Sequence, residues 1–74
     1  MKTCIVTGGC GFIGSHLVEK LISNNQKVIV IDDLSTGHIE NIKHLLGNSK
    51  LTLIKKSILD KSIKKYFKNI NVVF

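Results

Sequence analysis

Four short apolar runs, separated by longer and more polar stretches, set the pattern of this chain. They cover positions 4–6, 28–31, 51–54 and 70–74, and none of them contains a charged residue. Short, uncharged runs rich in β-branched residues are typical of strands that are buried on both faces of a parallel sheet. We therefore predict a strand at each of the four positions.

The three segments between these runs show helical periodicity, with apolar residues three or four positions apart. The apolar positions are Ile13, Leu17, Val18, Leu21 and Ile22 in the first segment, Ile39, Ile42, Leu45 and Leu46 in the second, and Leu59, Ile63 and Phe67 in the third. Asn24-Asn25 closes the first helix, and Ser57 or Asp60 is a candidate N-cap for the third. The order βαβαβαβ predicts an α/β fold, a doubly wound parallel sheet with right-handed crossovers, in a single domain over residues 1–74.

A glycine-rich turn, Thr7-Gly8-Gly9-Cys10-Gly11-Phe12-Ile13-Gly14, joins the first strand to the first helix. Its spacing fits G-x-x-G-x-x-G from Gly8 and G-x-G-x-x-G from Gly9. The first glycine permits a backbone conformation that a side chain resists, and Gly11 lets a phosphate approach the backbone. Gly14 lets the helix pack tightly, while the N–H groups of Phe12 and Ile13 face the anion at the positive end of the helix dipole. The turn predicts a pyrophosphate site.

The second predicted strand ends at Asp32, twenty-one residues after Gly11. An acidic residue at this position hydrogen-bonds the ribose hydroxyls of a dinucleotide and repels a 2′-phosphate. Asp33 adds a second negative charge, and the chain contains no arginine that would accept such a phosphate. The sequence therefore favours NAD over NADP.

Composition narrows the function classes further. The net charge is +6, and six of the eleven lysines lie between Lys55 and Lys68. We interpret them as a solvated face, with a basic nucleic-acid surface as the alternative. Cys4 and Cys10 are too far apart along an extended strand to form a disulfide, and the histidines lack the spacing of metal ligands. Without a recognisable signal peptide or membrane span, we expect a reduced, cytoplasmic protein.

The glycine turn and the stretch Asp32-Asp33-Leu34-Ser35-Thr36-Gly37 together resemble a known family. The resemblance is to the start of the extended short-chain dehydrogenases, a Rossmann-type family of NAD-dependent sugar-nucleotide epimerases and dehydratases, and above all to the UDP-glucose 4-epimerase branch. It implies that Phe12 and Ile13 contact the pyrophosphate through their N–H groups and that Asp32 binds ribose. It also implies that the adenosine end is enclosed by Asp33, Leu34, Ser35, Thr36 and Gly37.

The resemblance also defines one departure and one omission. The family usually has an Asp-Ile pair against the adenine after the third strand, whereas this chain has Ser57-Ile58, of which Ile58 can still pack on the ring. The family's catalytic Tyr-x-x-x-Lys is absent, because the chain's one tyrosine, Tyr66, is followed four positions later by Ile70. We expect Tyr66 to be a packing residue, His16 a helix-surface residue, and Cys10 a small residue that fills the turn rather than a reactive thiolate.

These observations predict the first part of an NAD-binding Rossmann domain, truncated after the fourth strand, without the catalytic and substrate-binding parts. The nucleotide-sugar substrate would belong to the complete enzyme, and the chain alone would be inactive. We expect the fourth strand to occupy the centre of the complete sheet. Its unpaired edge would then promote self-association. A nucleotide-binding or interaction module without catalysis is the alternative function.

Overall fold

The computed structural model describes residues 2–74, which form a four-stranded parallel sheet. The strands are β1 (Thr3–Thr7), β2 (Lys27–Ile31), β3 (Leu51–Ile54) and β4 (Val72–Val73). They lie in the order β3-β2-β1-β4, and each neighbouring pair is parallel. β1 thus lies inside the sheet, β2 and β3 follow on one side of it, and β4 lies on its other side. The predicted strands and the doubly wound topology are confirmed.

Hydrophobic clusters cover both faces of the sheet, because successive residues of β1 and β2 point to opposite sides. The cluster under the first helix contains the buried residues Val6, Cys10, Val18, Ile22, Val28, Val30 and Ile42. The cluster on the other face contains Ile5, Ile31 and Ile63, with Ile29, Ile54, Tyr66 and Ile70 packed against it. Burying each large aliphatic side chain contributes about 1.5–3 kcal/mol. The double coverage explains why the strand sequences are continuously apolar.

Helix α1 (Phe12–Ser23) packs on the sheet through four of the five predicted apolar positions, since Val18 and Ile22 are buried and Leu17 and Leu21 pack against the same cluster. Its buried residues are Ser15, Val18 and Ile22, whereas the side chain of Ile13 is 82% exposed. At 3.6 residues per turn, Ile13 lies about 180° around the helix from Ile22. The prediction that Ile13 belongs to the core stripe is therefore wrong, because the close approach of α1 at Gly14 turns that side chain outward.

The end of α1 is a Schellman motif centred on Asn25. The N–H of Asn25 donates to the carbonyl of Ile22, and the N–H of Gln26 donates to the carbonyl of Leu21, both at 3.0 Å. Asn25 adopts a left-handed conformation with φ 64°, which asparagine tolerates better than most residues. The predicted end of the helix at Asn24-Asn25 is confirmed.

The second and third connections contain 3₁₀ helices rather than the predicted α-helices. These helices are Ile39–Asn41, Lys43–Leu45 and Lys61–Phe67. Each is too short to be stable as an isolated α-helix, and the third carries three closely spaced lysines that repel one another. Each connection buries one isoleucine, Ile42 or Ile63, while Leu59 stays 86% exposed. Asp60 is the N-cap of the third connection, since its side chain accepts the N–H of Ser62.

Strand β4 lies at one edge of the described sheet, beside β1, and not at its centre. Of the predicted run 70–74, Val72–Val73 forms the strand, and Val73 is 52% exposed. Phe74 extends the pairing, because its N–H donates to Ile5 and its carbonyl accepts the N–H of Thr7. The outer side of β4 has no neighbouring strand among residues 2–74. The unpaired edge agrees with the sequence analysis, and the central position of β4 in a complete, larger sheet stays a prediction.

Three further features concern the described residues only. Cys4 and Cys10 are both buried and free. No group of histidine, cysteine and acidic side chains in residues 2–74 is arranged to hold a metal ion. Within the same range, no helix has the length and apolar character that crossing a bilayer requires.

Candidate functional site

A cavity of about 320 Å³ opens at the carboxyl ends of β1, β2 and β3. Its walls are Thr7, Gly8, Gly11, Ile31, Asp32, Asp33, Thr36, Gly37, Lys56, Ser57 and Ile58. The strand order reverses at β1, which lies between β2 and β4. Ligands of open α/β sheets bind in the crevice outside the carboxyl ends of the strands, at such a reversal point. The cavity is therefore the candidate site.

The glycine turn is held in shape by the carbonyl of Gly8. Gly8 has φ 68°, a left-handed conformation that favours glycine, and its carbonyl accepts the N–H of Gly11 at 3.0 Å. A Cβ at Gly14 would collide with the same carbonyl, whereas a Cβ at Gly11 would lie 3.3 Å from it. Gly14 is thus required by the fold, while Gly11 is open toward the cavity.

Gly9 has a separate steric role that the motif does not indicate. A Cβ at this position would lie 2.6 Å from Cγ1 of Val30, on the neighbouring strand β2. The turn therefore packs directly against the core side chain. The two motif spacings that fit the sequence begin at Gly8 and at Gly9, and the structure needs a glycine at both positions. Gly8 is needed for its left-handed conformation, and Gly9 for its close packing against Val30.

The start of α1 presents unpaired donors beside the turn. Gly11 is the N-cap residue, no side chain caps the helix, and no acidic residue lies in its first turn. The first N–H groups of a helix have no partner within the helix, and the helix dipole adds partial positive charge there. The side chains of Phe12 and Ile13 point away from the cavity walls and are 74% and 82% exposed. That the backbone N–H groups of Phe12 and Ile13 contact a pyrophosphate stays a prediction.

Asp32 lies at the end of β2 and is 8% exposed. Its Oδ2 accepts the N–H of Cys10 and its Oδ1 accepts the N–H of Leu34, each at 2.8 Å. A carboxylate offers about four acceptor positions, and these two backbone bonds do not fill them. The carboxylate joins the glycine turn to the loop after β2, and it is oriented by both bonds before any ligand arrives.

The loop after β2 divides into residues that line the cavity and residues that shape the loop. Asp33, Thr36 and Gly37 line it, whereas Leu34 and Ser35 do not. Leu34 has φ 64° and packs against the hydrophobic cluster under α1. The N–H of Ser35 donates to Oδ1 of Asp33 at 2.9 Å, and this bond lowers the pKa of the Asp33 carboxyl. Asp33 therefore presents a negative charge at neutral pH.

The backbone carbonyl of Cys10 connects the glycine turn to the segment that follows the β2 loop. Its carbonyl accepts the N–H of His38 at 3.0 Å and Nδ2 of Asn41 at 2.7 Å. Its side chain is fully buried, and burial together with the nearby Asp32 carboxylate raises the pKa of the thiol to about 11. Cys10 is thus a protonated packing residue, as predicted, and not a reactive thiolate.

The third wall of the cavity is the segment after β3. Oγ of Ser57 accepts the N–H of Leu59 at 3.1 Å, and Nζ of Lys56 donates to Oγ of Ser62 at 2.7 Å. Ile58 follows with a side chain that is 60% exposed. This wall offers an apolar surface and hydrogen-bond donors.

The structure gathers most of the predicted site residues around the cavity and adds others. Eight of the predicted residues line it, while Phe12, Ile13, Gly14, Leu34 and Ser35 surround the turn and the loop. Thr7, Ile31 and Lys56 line it without having been predicted. Thr7 and Ile31 end their strands, a position that could have identified them, whereas Lys56 was one lysine in a basic stretch. Asn41 carried no signal in the sequence.

Tyr66 and His16 lie outside the cavity walls. Tyr66 packs against the cluster on the far face of the sheet, as predicted. His16 is exposed on α1, with its ring edge-on to Phe12 at a centroid distance of 4.7 Å. The prediction of a helix-surface histidine is confirmed.

Comparison with known proteins agrees with this geometry. A family model described as GDP-mannose 4,6 dehydratase matches residues 5–73. A putative UDP-glucose 4-epimerase of Methanocaldococcus jannaschii is 48% identical over 71 residues, which are 93% of this chain and 22% of that protein. The chain spans between 13% and 22% of the length of the curated relatives with which it was compared.

Solved structures show the same relationship. The UDP-glucose 4-epimerase of Thermotoga maritima, solved with UDP-glucose, has a TM-score of 0.71 and 46% identity, covering 82% of this chain and 18% of its own. The dTDP-glucose 4,6-dehydratase of Bacillus anthracis, solved with NAD, has a TM-score of 0.81 and 27% identity. That match covers 99% of this chain and 26% of the dehydratase.

Proposed function

Because this chain belongs to the GDP-mannose 4,6-dehydratase family of extended short-chain dehydrogenases, we propose that it forms the NAD-binding part of a nucleotide-sugar epimerase or dehydratase. Members of this family are enzymes, and the relatives named above act on UDP- or dTDP-sugars. The observation that carries the proposal is the buried carboxylate of Asp32 beside the glycine turn, at the mouth of the cavity.

The residues present fit NAD. The turn leaves space in front of Gly11 for a pyrophosphate, and the start of α1 supplies backbone donors and a favourable dipole. The unfilled acceptor positions of Asp32 would serve the ribose hydroxyls. Asp33, Thr36 and Gly37 would enclose the adenosine end together with Ser57 and Ile58. Leu34 and Ser35 would act indirectly, by shaping the loop.

In the complete enzyme, bound NAD supplies the acceptor and donor of a hydride. The residues of this chain would bind and orient the cofactor, and the family's Tyr-x-x-x-Lys proton-transfer pair is absent from residues 1–74. Tyr66 packs against the sheet, and no lysine follows it at the required spacing. We therefore propose that residues 1–74 comprise part of the NAD-binding domain, without catalytic or substrate-binding parts, and that the chain alone has no epimerase activity.

Calorimetric titration with NADH tests this proposal. We expect the chain to bind NADH, and the Gly11→Ala variant to bind at least about tenfold more weakly, a loss of about 1.4 kcal/mol. A Cβ at Gly11 would enter the pyrophosphate space and would lie 3.3 Å from the Gly8 carbonyl, a tight contact that requires a small shift of the turn. Circular dichroism and thermal unfolding should therefore show that the variant is folded before its affinity is compared. Thr52→Val, on the exposed side of β3, is the matched control and should leave the affinity unchanged.

Two further ligands sharpen the titration. NADPH should bind more weakly than NADH, because Asp32 and Asp33 repel the 2′-phosphate. Duplex DNA tests the alternative of a basic nucleic-acid surface. Salt-sensitive binding of DNA by a folded chain that does not bind NADH would overturn the proposal.

We also propose that the chain associates with a second copy through β4. The strand pairs with β1 on one side, and among the described residues its other side is unpaired, uncharged and partly exposed. An exposed edge of this kind is a template for pairing with another strand.

We further propose a cytoplasmic location. Cys4 and Cys10 are free although both are buried in the fold, as expected in a reducing compartment. Cell fractionation that finds the protein outside the cytoplasm would contradict this assignment.

A further inference from the structure

The far end of the cavity decides which base a dinucleotide can carry, an inference that rests on the proposed function. If the turn holds the pyrophosphate and Asp32 holds the ribose, the base lies beyond Asp32. The cavity wall on that side is the segment after β3, formed by Lys56, Ser57 and Ile58. Ile58 offers an apolar surface for the ring, so hydrogen bonds to the edge of the base depend on the other two residues.

Both polar groups of this wall retain protons to donate. Oγ of Ser57 accepts the N–H of Leu59, which leaves its own O–H proton and one lone pair free. Nζ of Lys56 donates one proton to Ser62, and two remain. Both groups can therefore approach an acceptor on the base, and Ser57 can equally accept from a donor.

The carboxylates near this wall are engaged elsewhere. Asp60 accepts the N–H of Ser62 as an N-cap and does not line the cavity. Asp33 lines the cavity from the β2 side, where its Oδ1 accepts the N–H of Ser35. Among residues 2–74, the segment after β3 therefore contributes no carboxylate to the cavity wall. A base bound against this wall would not need to donate a hydrogen bond to a carboxylate there.

We propose that Ser57 makes this site tolerant of the purine 6-substituent, so that a 6-oxopurine dinucleotide binds as well as NAD. Adenine presents an amino donor at this position, whereas a 6-oxopurine presents a carbonyl acceptor. A hydroxyl satisfies either group by rotating, whereas a carboxylate accepts from the amino group and repels the carbonyl. The ligand class is thus the nicotinamide dinucleotides of both adenine and hypoxanthine.

Titration of the folded chain with NAD and with nicotinamide hypoxanthine dinucleotide tests the proposal. We expect the two dissociation constants to agree within about threefold, because the serine can pair with either base edge. Ser57→Asp should then favour NAD by at least about tenfold, the effect of one charge-assisted hydrogen bond. An aspartate can still accept the N–H of Leu59, so the local turn is retained. Ser57→Ala, the control, should weaken both ligands without creating a preference.

Two results would overturn the inference. One is a preference of the unmodified chain for NAD by tenfold or more, and the other is an unchanged affinity ratio in Ser57→Asp. Either result leaves the proposed function intact, provided that NAD binds. If circular dichroism shows a folded chain and neither dinucleotide binds, both the inference and the proposed function are wrong.

Discussion

Asp32 has two tasks at the residue scale, one in the fold and one in the proposed binding of ribose. Its carboxylate accepts backbone N–H groups from the glycine turn and from the loop after β2. Removing it would leave two donors unsatisfied, at a cost of about 1–3 kcal/mol each. The structural demand at Gly11 is smaller, because a Cβ there meets only the Gly8 carbonyl, at a tight 3.3 Å that a small shift of the turn would have to relieve. Variants of Gly11 therefore separate binding from folding better than variants of Asp32 do.

Cys10 provides a prediction about pH. Its thiol pKa is raised from 9.0 to about 11 in the folded chain, so the folded state holds the proton more tightly than the unfolded state. This contribution to stability is complete below pH 9 and is lost as the pH rises to about 11, by up to about 2–3 kcal/mol. Urea unfolding between pH 7 and 11 measures the loss.

Cys10→Ala is the control for this measurement. Lysine titration affects both chains alike, so the difference between their unfolding free energies isolates the thiol. We expect that difference to shrink as the pH rises through this range. A difference that stays constant across it would contradict the assignment of a buried, protonated thiol.

The residues of the dinucleotide motif could be predicted from the sequence, whereas the residues that contact them from other parts of the chain could not. Gly8, Gly11 and Asp32 were found because a dinucleotide turn fixes their spacing. Asn41 and Lys56 lie near the site because of how the connections fold back over the sheet, and no local sequence pattern predicts that arrangement. Leu34 was predicted to help enclose the adenosine end, which stays a prediction; its side chain is partly buried against the hydrophobic cluster under α1.

At the scale of elements, the strands were easier to predict than the helices. β3 covers the predicted residues, because its apolar run is bounded by polar neighbours. The two later segments were predicted as α-helices from a 3.6-residue period, but they are too short for stable α-helices and form 3₁₀ helices. There, one buried isoleucine in each connection, Ile42 or Ile63, attaches a 3₁₀ segment to the sheet. Periodicity predicted which segments pack, and segment length decided their form.

The Schellman motif at the end of α1 gives a prediction at this scale. Asn25 adopts φ 64°, a conformation that favours glycine, so Asn25→Gly should stabilise the chain by about 0.5 kcal/mol. Asn25→Ala should destabilise it by about 1 kcal/mol, since its Cβ meets the following carbonyl. Thermal unfolding of the three chains tests this order. Equal midpoints for all three would contradict the left-handed assignment.

At the scale of the whole molecule, coverage of the sheet is uneven. Both faces of β1 and β2 are packed, whereas β4 has two strand residues, both partly exposed. The succession of βαβ units predicted a parallel, doubly wound sheet, but not which strands are neighbours. An unpaired edge at β4 was expected, because the sequence was interpreted as the first part of a larger sheet.

Self-association through β4 is the corresponding prediction. We expect the weight-average mass in sedimentation equilibrium to rise with concentration above that of a monomer. Val73→Lys places a charge on the exposed edge and should restore the monomer. Thr52→Lys, which adds the same charge on β3, should leave the association unchanged. A monomeric unmodified chain at all concentrations would contradict the proposal.

The central claim is that the cavity at the carboxyl ends of β1, β2 and β3 binds NAD, and amide chemical-shift mapping by NMR tests it most directly. On addition of NAD, the largest shifts should fall in three segments, 8–14, 32–37 and 56–58. Ser49 and Lys50, which line a smaller cavity near the opposite ends of the strands, should not shift. Shifts concentrated at those residues, or no shifts in a folded chain, would contradict the account.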